Sequence, residues 1–410
     1  MPPVSFVRWD AIGMSDAAEY ALNTLAVHAG REDLTDLGVH AVPIDLSTTY
    51  PVDSVSAGRD TLDVIAEGES LPTGASPIYR RAWNPTVARF EAAVAALEGH
   101  VPGGDAIDVE GLAFASGMAA THSVLLSRVA AGLPHVVAIR PLYGGTDGLL
   151  ESGLLGTSVS FVEPHEVAGA ITEHTGLVVF ESPSNPTLEL RDIRDIVRQA
   201  GDVPVMIDNT FATPILQQPL RLGATYSVHS ATKYLGGHGD AMGGVVVTDP
   251  EHAKSIRPLR IITGGVMDPF TAYLMLRGIS TLPIRVRAQQ DSAGAIARWL
   301  NEQTNVVRVF YPGLEGQDRN GLIGTQMSGP GAMVAFEVAD FATAERVCSR
   351  LQLITHAVSL GGVDTLIEHP ASLTHRIVTE EAQPGEGILR LSIGLEDVHD
   401  LIVDLEHALN

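Results

Sequence analysis

The sequence predicts an α/β protein with a mostly parallel sheet of seven strands, followed by a smaller α+β domain. Between residues 84 and about 283, short apolar runs alternate with helical patterns, as in sheets whose strands are joined by crossover helices. After residue 283 the pattern changes to a long helical stretch, a strand over 332–338 and an amphipathic last helix over 398–409. The seven predicted strands are 112–115, 135–139, 158–162, 177–180, 203–207, 226–228 and 244–247.

These patterns divide the chain into three parts. Residues 1–83 mix short apolar runs with turn residues and predict an extended arm without a core of its own. Residues 84–283 are expected to form the main domain, and residues 284–410 the smaller one. At 410 residues the chain is long enough to bury a large core.

The main domain is predicted to open with a helix at Asn84 and Pro85. Asparagine is a favoured helix cap, and proline fits the first turn because its missing N–H is not needed there. Gly99 is expected to end this helix. One apolar face repeats every three or four residues, at Val87, Phe90, Val94 and Leu97.

Composition excludes several classes of function. The formal charge of −23 argues against nucleic acid and anionic lipid as partners, because phosphate contacts need clustered Lys and Arg. No apolar run is long enough to span a bilayer, and the N-terminus lacks the pattern of a secretory signal. The single cysteine, Cys348, predicts a reducing cytoplasm and an inert thiol in a helical run. The fifteen histidines form no pattern of metal ligands, so no metal site is predicted.

The stretch from Ser230 to His238 sets one lysine, Lys233, among small residues and hydroxyls after an apolar strand. A lysine in such a place suits Schiff-base chemistry, which needs a carbonyl partner such as that of pyridoxal 5'-phosphate (PLP). The hydroxyls of Ser230 and Thr232 are placed to bind the phosphate of that cofactor.

Three further strand ends carry polar or glycine residues that suit the same cofactor. Asp208 ends an apolar run and is a candidate partner for the pyridinium nitrogen. Gly117 and Met118 lie where a strand turns into a helix, and the free N–H groups of a helix start bind anions. Tyr143 follows another strand and is a candidate for stacking on the ring and for proton transfer. A dinucleotide-binding dehydrogenase is disfavoured because no G-x-G-x-x-G joins a strand to a helix.

Taken in order, these motifs resemble those of the Cys/Met-metabolism PLP enzymes, the group of cystathionine γ-synthases, cystathionine γ-lyases, methionine γ-lyases and O-acylhomoserine sulfhydrylases. The resemblance extends from LAVHAGR, which begins at Leu25, to RLSIG, which begins at Arg390. It implies the fold of the PLP-dependent transferases, fold type I. The motifs between those ends are FASGMAA, LYGGT, ESPSNPT, VMIDNTF and SATKYLGGHGD.

The resemblance implies a role for each matching residue. Lys233 matches the Schiff-base lysine, Asp208 the pyridinium partner, and Tyr143 the tyrosine that stacks and moves protons. Asn185 matches a side chain that lies near the cofactor hydroxyl and the substrate carboxylate, and Arg390 and Ser359 match the pair that binds this carboxylate. The residues that match phosphate contacts are Gly117, Met118, Ser230 and Thr232.

Tyr79 and Arg81 match a tyrosine and an arginine that reach the phosphate of a neighbouring subunit in this family. The resemblance therefore implies a homodimer at minimum, and tetramers are usual in this family. It also implies that the arm contributes residues to the active site of the neighbouring subunit.

The expected reaction is γ-elimination on a sulfur-containing or γ-substituted L-amino acid, similar to that of methionine γ-lyase. Val358 stands before Ser359 where cystathionine-handling lyases carry an acidic residue, and HPASLTH, which begins at His369, matches the methionine γ-lyases. Gly145 departs from the cysteine typical of those enzymes, and Trp83 and the segment 100–111 also depart from the pattern. Two alternatives stay open: γ-replacement on an O-acylhomoserine, and γ-elimination of an unusual amino acid such as a γ-halogenated one. A scaffold without catalysis is disfavoured because the key residues are all present.

Overall fold

The computed structural model describes residues 20–71, 75–101, 103–376, 378–379 and 382–410. The first nineteen residues of the predicted arm therefore lie outside the described residues, as does the predicted absence of a secretory signal. The described part of the arm holds two helices, α1 (Leu22–His28) and α2 (Val55–Ala66), so it is less extended than predicted. Leu25 and Ala26 of α1 are buried in the main core, because α1 packs against the helix that opens the main domain.

That helix, α3 (Pro85–Glu98), begins and ends where the sequence predicted. The Asn84 side chain accepts hydrogen bonds from the backbone N–H groups of Thr86 at 3.0 Å and Val87 at 3.1 Å. These bonds satisfy two of the donors that a helix start leaves free.

Within the described residues, the main domain contains a seven-stranded sheet, as predicted. Its order is β1-β7-β6-β5-β4-β2-β3, and β7 runs antiparallel to both of its neighbours while the other pairs are parallel. The bounds differ from the predicted ones by two residues at most. The strands are β1 (Glu110–Phe114), β2 (His135–Ile139), β3 (Ser158–Val162), β4 (Thr175–Glu181), β5 (Val205–Asp208), β6 (Tyr226–His229) and β7 (Gly244–Thr248).

Helices cover both faces of this sheet, and the side chains of successive strand residues are buried on opposite faces. Val136 and Ala138 of β2 join one apolar cluster, and Val137 and Ile139 join the other. Besides α3, the described α-helices of this domain are α4 (Gly117–Ala130), α5 (Gly144–Ser152), α6 (Val167–Ala170), α7 (Ile193–Ala200), α8 (Thr213–Leu216), α9 (Pro250–Thr263) and α10 (Pro269–Ile279).

The C-terminal part begins with the long helix α11 (Leu282–Asn301), so the proposed boundary after residue 283 falls in its first turn. Within the described residues, this part holds a five-stranded sheet in the order β10-β11-β12-β9-β8. Its strands are β8 (Arg308–Phe310), β9 (Met333–Glu337), β10 (Thr355–His356), β11 (Leu366–Glu368) and β12 (Ile388–Ser392), and its other helices are α12 (Phe341–Arg350) and α13 (Val398–Leu409). None of the described helices has the length and apolar character needed to cross a membrane.

Candidate active site

A cavity of about 550 Å³ lies beyond the carboxyl ends of β4, β5 and β6 and is closed on one side by the C-terminal domain. This is the edge at which open α/β sheets bind ligands. All the predicted site residues line the cavity except Tyr79 and Arg81. Those that line it are Gly117, Met118, Tyr143, Asn185, Asp208, Ser230, Thr232, Lys233, Val358, Ser359 and Arg390.

One end of the cavity is the start of α4. Ser116 caps this helix by accepting a hydrogen bond from the backbone N–H of Ala119 at 3.1 Å, and Gly117 and Met118 open its first turn. A Cβ at Gly117 would stand 2.9 Å from the Cβ of Ser230, which is closer than real contacts allow. Glycine therefore lets the helix start and the Ser230 loop approach each other and form one anion-binding concavity.

The Thr232 hydroxyl, predicted to contact phosphate, already has two partners in the protein. It donates to the carbonyl of Gly243 at 3.1 Å and accepts from the N–H of Gly243 at 3.0 Å. The proton of the Thr232 hydroxyl is therefore committed to the backbone. Ser230 is held through its backbone instead: its N–H donates to Thr210 Oγ1 at 2.8 Å and its carbonyl accepts from the Lys233 N–H at 3.1 Å.

Lys233 reaches across the cavity to the C-terminal domain, where its Nζ donates to Ser359 Oγ at 2.7 Å. Burial, and then the charge of Arg390, lower the pKa of Lys233 to about 8. Ser359 is held with a φ of 95°, a left-handed conformation that is strained for a residue other than glycine. Such strain at one serine is typical of a functional site.

Asp208 is the last residue of β5 and faces the same cavity. Burial raises the pKa of Asp208, while hydrogen bonds from Thr210 and the charges of His229 and Lys233 oppose that rise. The backbone N–H of Thr210 donates to Asp208 Oδ1 at 2.9 Å. A cationic ring nitrogen beside this carboxylate would oppose the rise further.

Arg390 on β12 forms the opposite wall. Its Nη1 donates to Asn185 Oδ1 at 2.7 Å and its Nη2 to the Ser359 carbonyl at 3.3 Å and to the carboxylate of Glu368. Among the described residues no acceptor reaches Arg390 Nε, which is buried. Because Arg390 lines the cavity, its guanidinium is a cationic donor suited to bind a ligand carboxylate.

Two buried carboxyl groups at this site were missed from the sequence. Glu368, on β11, is 1% exposed and pairs with Arg390. Glu181, at the end of β4, is 6% exposed and accepts from the backbone N–H of Tyr143 at 2.6 Å. The only available signal was position: Glu181 is the first residue of ESPSNPT, and Glu368 directly precedes HPASLTH.

The mouth of the cavity is apolar. Val358, Met242 and Leu373 line it and are 50%, 63% and 40% exposed. Side chains of this kind exposed together mark a ligand or protein contact rather than an ordinary surface.

Tyr79 and Arg81 do not line the cavity of their own chain. Arg81 Nη1 donates to the Ile261 carbonyl at 2.6 Å, and its guanidinium lies 5.7 Å from the centroid of the Tyr79 ring. Tyr79 is 49% exposed. Both side chains therefore remain accessible to another molecule.

The profile of the family described as "Cys/Met metabolism PLP-dependent enzyme" matches residues 23–410. The chain belongs to this family. It is 53% identical to an L-methionine gamma-lyase of Brevibacterium sandarakinum over 94% of this chain and 97% of that protein, and 52% identical to one of Streptomyces avermitilis over 95% and 89%. The solved structure of cystathionine gamma synthase from Xanthomonas oryzae pv. oryzae, in complex with aminoacrylate and cysteine, is 34% identical, covers 95% of this chain and 98% of that one, and has a TM-score of 0.83.

The cavity residues fit PLP, the cofactor of this family. The concavity between Gly117 and Ser230 suits a phosphate, and the amine of Lys233 suits an aldehyde. Asp208 is a half-buried carboxyl group that lines the cavity, which suits a protonated ring nitrogen. The family, the fold class and the cofactor predicted from the sequence are therefore confirmed.

Proposed function

We propose that this enzyme eliminates the γ-substituent of a short thioether amino acid, with L-methionine as the reference substrate. The observation that carries this proposal is that the cationic Arg390 and the apolar Val358 line the same cavity. Such a site suits an amino acid with one carboxylate and an uncharged tail. The names of the relatives at 52 and 53% identity support the same reaction.

Bound PLP supplies an aldehyde for the substrate amine and a ring that withdraws electrons from Cα and Cβ. In our proposal Lys233 holds the cofactor in the resting enzyme and then, once released, removes the Cα proton. Its burial supports this role, because an amine with a pKa of about 8 is partly unprotonated at neutral pH.

Tyr143 is proposed to give a proton to the departing thiolate. Burial, and then the charge of Glu368, raise the pKa of its phenol, so the hydroxyl keeps its proton at neutral pH. Glu181 holds the Tyr143 backbone. The phenol of Tyr143 is therefore a proton donor whose backbone position is fixed.

Arg390 is proposed to bind the substrate carboxylate, with Asn185 fixing the guanidinium by accepting from Nη1. In the completed reaction the Cγ–S bond breaks, one water is consumed, and a thiol, ammonia and an α-keto acid leave. Val358, Met242 and Leu373 would surround the thioether and exclude water from it.

The direct test is keto-acid release by the purified enzyme from methionine, homocysteine, cystathionine, O-acetylhomoserine and a γ-chloro amino acid, with and without added thiol. We expect keto acid and free thiol from methionine alone, and weak turnover of cystathionine because its second charged end meets apolar residues. Keto acid from the γ-chloro amino acid alone would favour the specialised elimination. Product that appears only when thiol is added would assign γ-replacement instead. That second function is supported by the 34% identity to a cystathionine gamma synthase.

We further propose a homodimer at minimum and a cytoplasmic enzyme. The exposed Tyr79 and the neighbouring Arg81 support a site completed by a second subunit. The described residues between 20 and 79 also expose nine large apolar side chains, which suits a buried subunit contact. They are Tyr20, Val27, Val39, Ile44, Leu46, Val52, Val55, Leu62 and Tyr79. The single Cys348 supports a reducing compartment.

A further inference from the structure

Two carboxyl groups end neighbouring strands at the floor of the cavity. Glu181 is the last residue of β4 and Asp208 the last residue of β5, and the two are register partners. Both line the cavity. Asp208 has a proposed cofactor partner, whereas the only contact assigned to Glu181 above is the one with the Tyr143 backbone.

The contacts of Glu181 join two separate loops. Its Oε1 accepts from the backbone N–H of Tyr143 at 2.6 Å, and its Oε2 accepts from the backbone N–H of Asn185 at 3.2 Å. Tyr143 directly precedes α5, so its N–H has no partner inside that helix. Asn185 in turn accepts from Arg390 Nη1 at 2.7 Å.

One carboxyl group thus sets the distance between the proposed stacking tyrosine and the proposed carboxylate-binding arginine. Each oxygen has one N–H donor, and the group is held at the end of a buried strand. A group with two rigid anchors and no ion pair is suited to positioning rather than to binding a charge.

The electrostatics of Glu181 agree with this role. Burial, and then the neighbouring charge of Asp208, raise the pKa of Glu181 well above its usual value, while the two N–H donors oppose the rise. Both Glu181 oxygens accept from backbone N–H groups, so hydrogen bonds hold the carboxyl group in place at this buried position.

We propose that Glu181 is a positioning residue that holds Tyr143 and the Asn185–Arg390 pair in one productive geometry around the cofactor and the substrate carboxylate. The inference rests on the proposed function, because it uses the roles given there to Tyr143 and Arg390.

Glu181→Gln tests this positioning role, because an amide has the same shape as a carboxyl group but only one acceptor oxygen. Its NH₂ group must then face the N–H of either Tyr143 or Asn185, and one loop is pushed away. We expect kcat/KM for methionine to fall about 10- to 100-fold, since misplacement by about 1 Å has effects of that size. We also expect the visible circular dichroism of bound PLP to change and its dissociation constant to rise, because Tyr143 no longer stacks in place.

Asp147→Asn is the matched control. Asp147 is a buried carboxylate on α5 that accepts from Arg140 Nε at 2.7 Å and Nη2 at 2.9 Å, and it does not line the cavity. It should lower the melting temperature without changing the dichroism of the cofactor. Glu181→Asp provides a second test, since it keeps both oxygens but draws them back by one methylene, and we expect an intermediate loss.

Folded Glu181 variants whose PLP affinity, dichroism and kcat/KM lie within twofold of the parent would overturn the positioning role. Loss of folding in both Glu181 variants, with Asp147→Asn still folded, would also overturn it by making Glu181 a folding determinant. Failure of the proposed function looks different, because the parent enzyme would then bind PLP at Lys233 yet release no keto acid. The dichroism comparison would still decide the placement of Tyr143.

Discussion

Lys233 shows how one side chain is prepared for chemistry by its surroundings. The residues around it in sequence are small, but its low pKa comes from burial and from Arg390, more than 150 positions away. No local motif contains that information.

The pH dependence of cofactor capture follows from this pKa. Only the neutral amine attacks an aldehyde, so the rate at which the cofactor-free protein captures PLP should rise about tenfold per pH unit below pH 8 and level off above it. Stopped-flow absorbance between pH 6 and 10 measures this rate. A midpoint near that of free lysine would show that Lys233 is not perturbed, and Lys233→Ala should show no covalent capture.

Gly145 affects the position of Tyr143. A Cβ at Gly145 would stand 2.6 Å from Tyr143 Cε1 and 3.2 Å from Met118 Sδ. Gly145→Ala should therefore move the ring and lower kcat/KM for methionine about tenfold, since small misplacements of a proton donor have large effects.

Steady-state kinetics beside a control glycine check this prediction. Gly169 has open space around its Cβ position, so Gly169→Ala should leave kcat/KM unchanged. Equal kinetics for Gly145→Ala and the parent would mean that Tyr143 is not catalytically placed by this contact.

At the scale of elements, the start of α4 links folding to cofactor binding. Ser116 caps the helix whose first N–H groups face the proposed phosphate position. Ser116→Ala should cost about 1 kcal/mol of unfolding free energy and weaken PLP binding about tenfold, because both depend on that cap.

A cap remote from the cavity separates the two effects. Asp340 caps α12 by accepting from Thr343 at 2.8 Å. Asp340→Ala should show a similar loss in denaturant unfolding with an unchanged PLP dissociation constant. Equal affinities for both variants would mean that the α4 start does not hold the phosphate.

For the whole molecule, a shared active site predicts complementation between inactive subunits. Arg81→Ala and Lys233→Ala should each be nearly inactive alone, and co-expression should restore part of the activity. One site of the mixed dimer then combines Lys233 of one subunit with Arg81 of the other. Activity assays on purified mixed oligomers measure this recovery. Full activity of Arg81→Ala alone would remove Arg81 from the site.

The sequence by itself determined the order of the seven strands along the main domain, the family, and the candidate residues Asp208 at a strand end and Lys233 in the loop after the next strand. Apolar periodicity and turn chemistry depend on neighbouring residues, so they can be predicted from the sequence alone, as the helix cap at Asn84 illustrates.

Only the tertiary structure decided which distant side chains meet. It showed that Thr232 is committed to Gly243, and that Glu181 and Glu368 lie buried against Tyr143 and Arg390. Carboxyl groups in a sequence look alike whether they face water or a cavity. Burial and hydrogen-bond partners, which depend on strands far apart in the chain, decide their charge and their use.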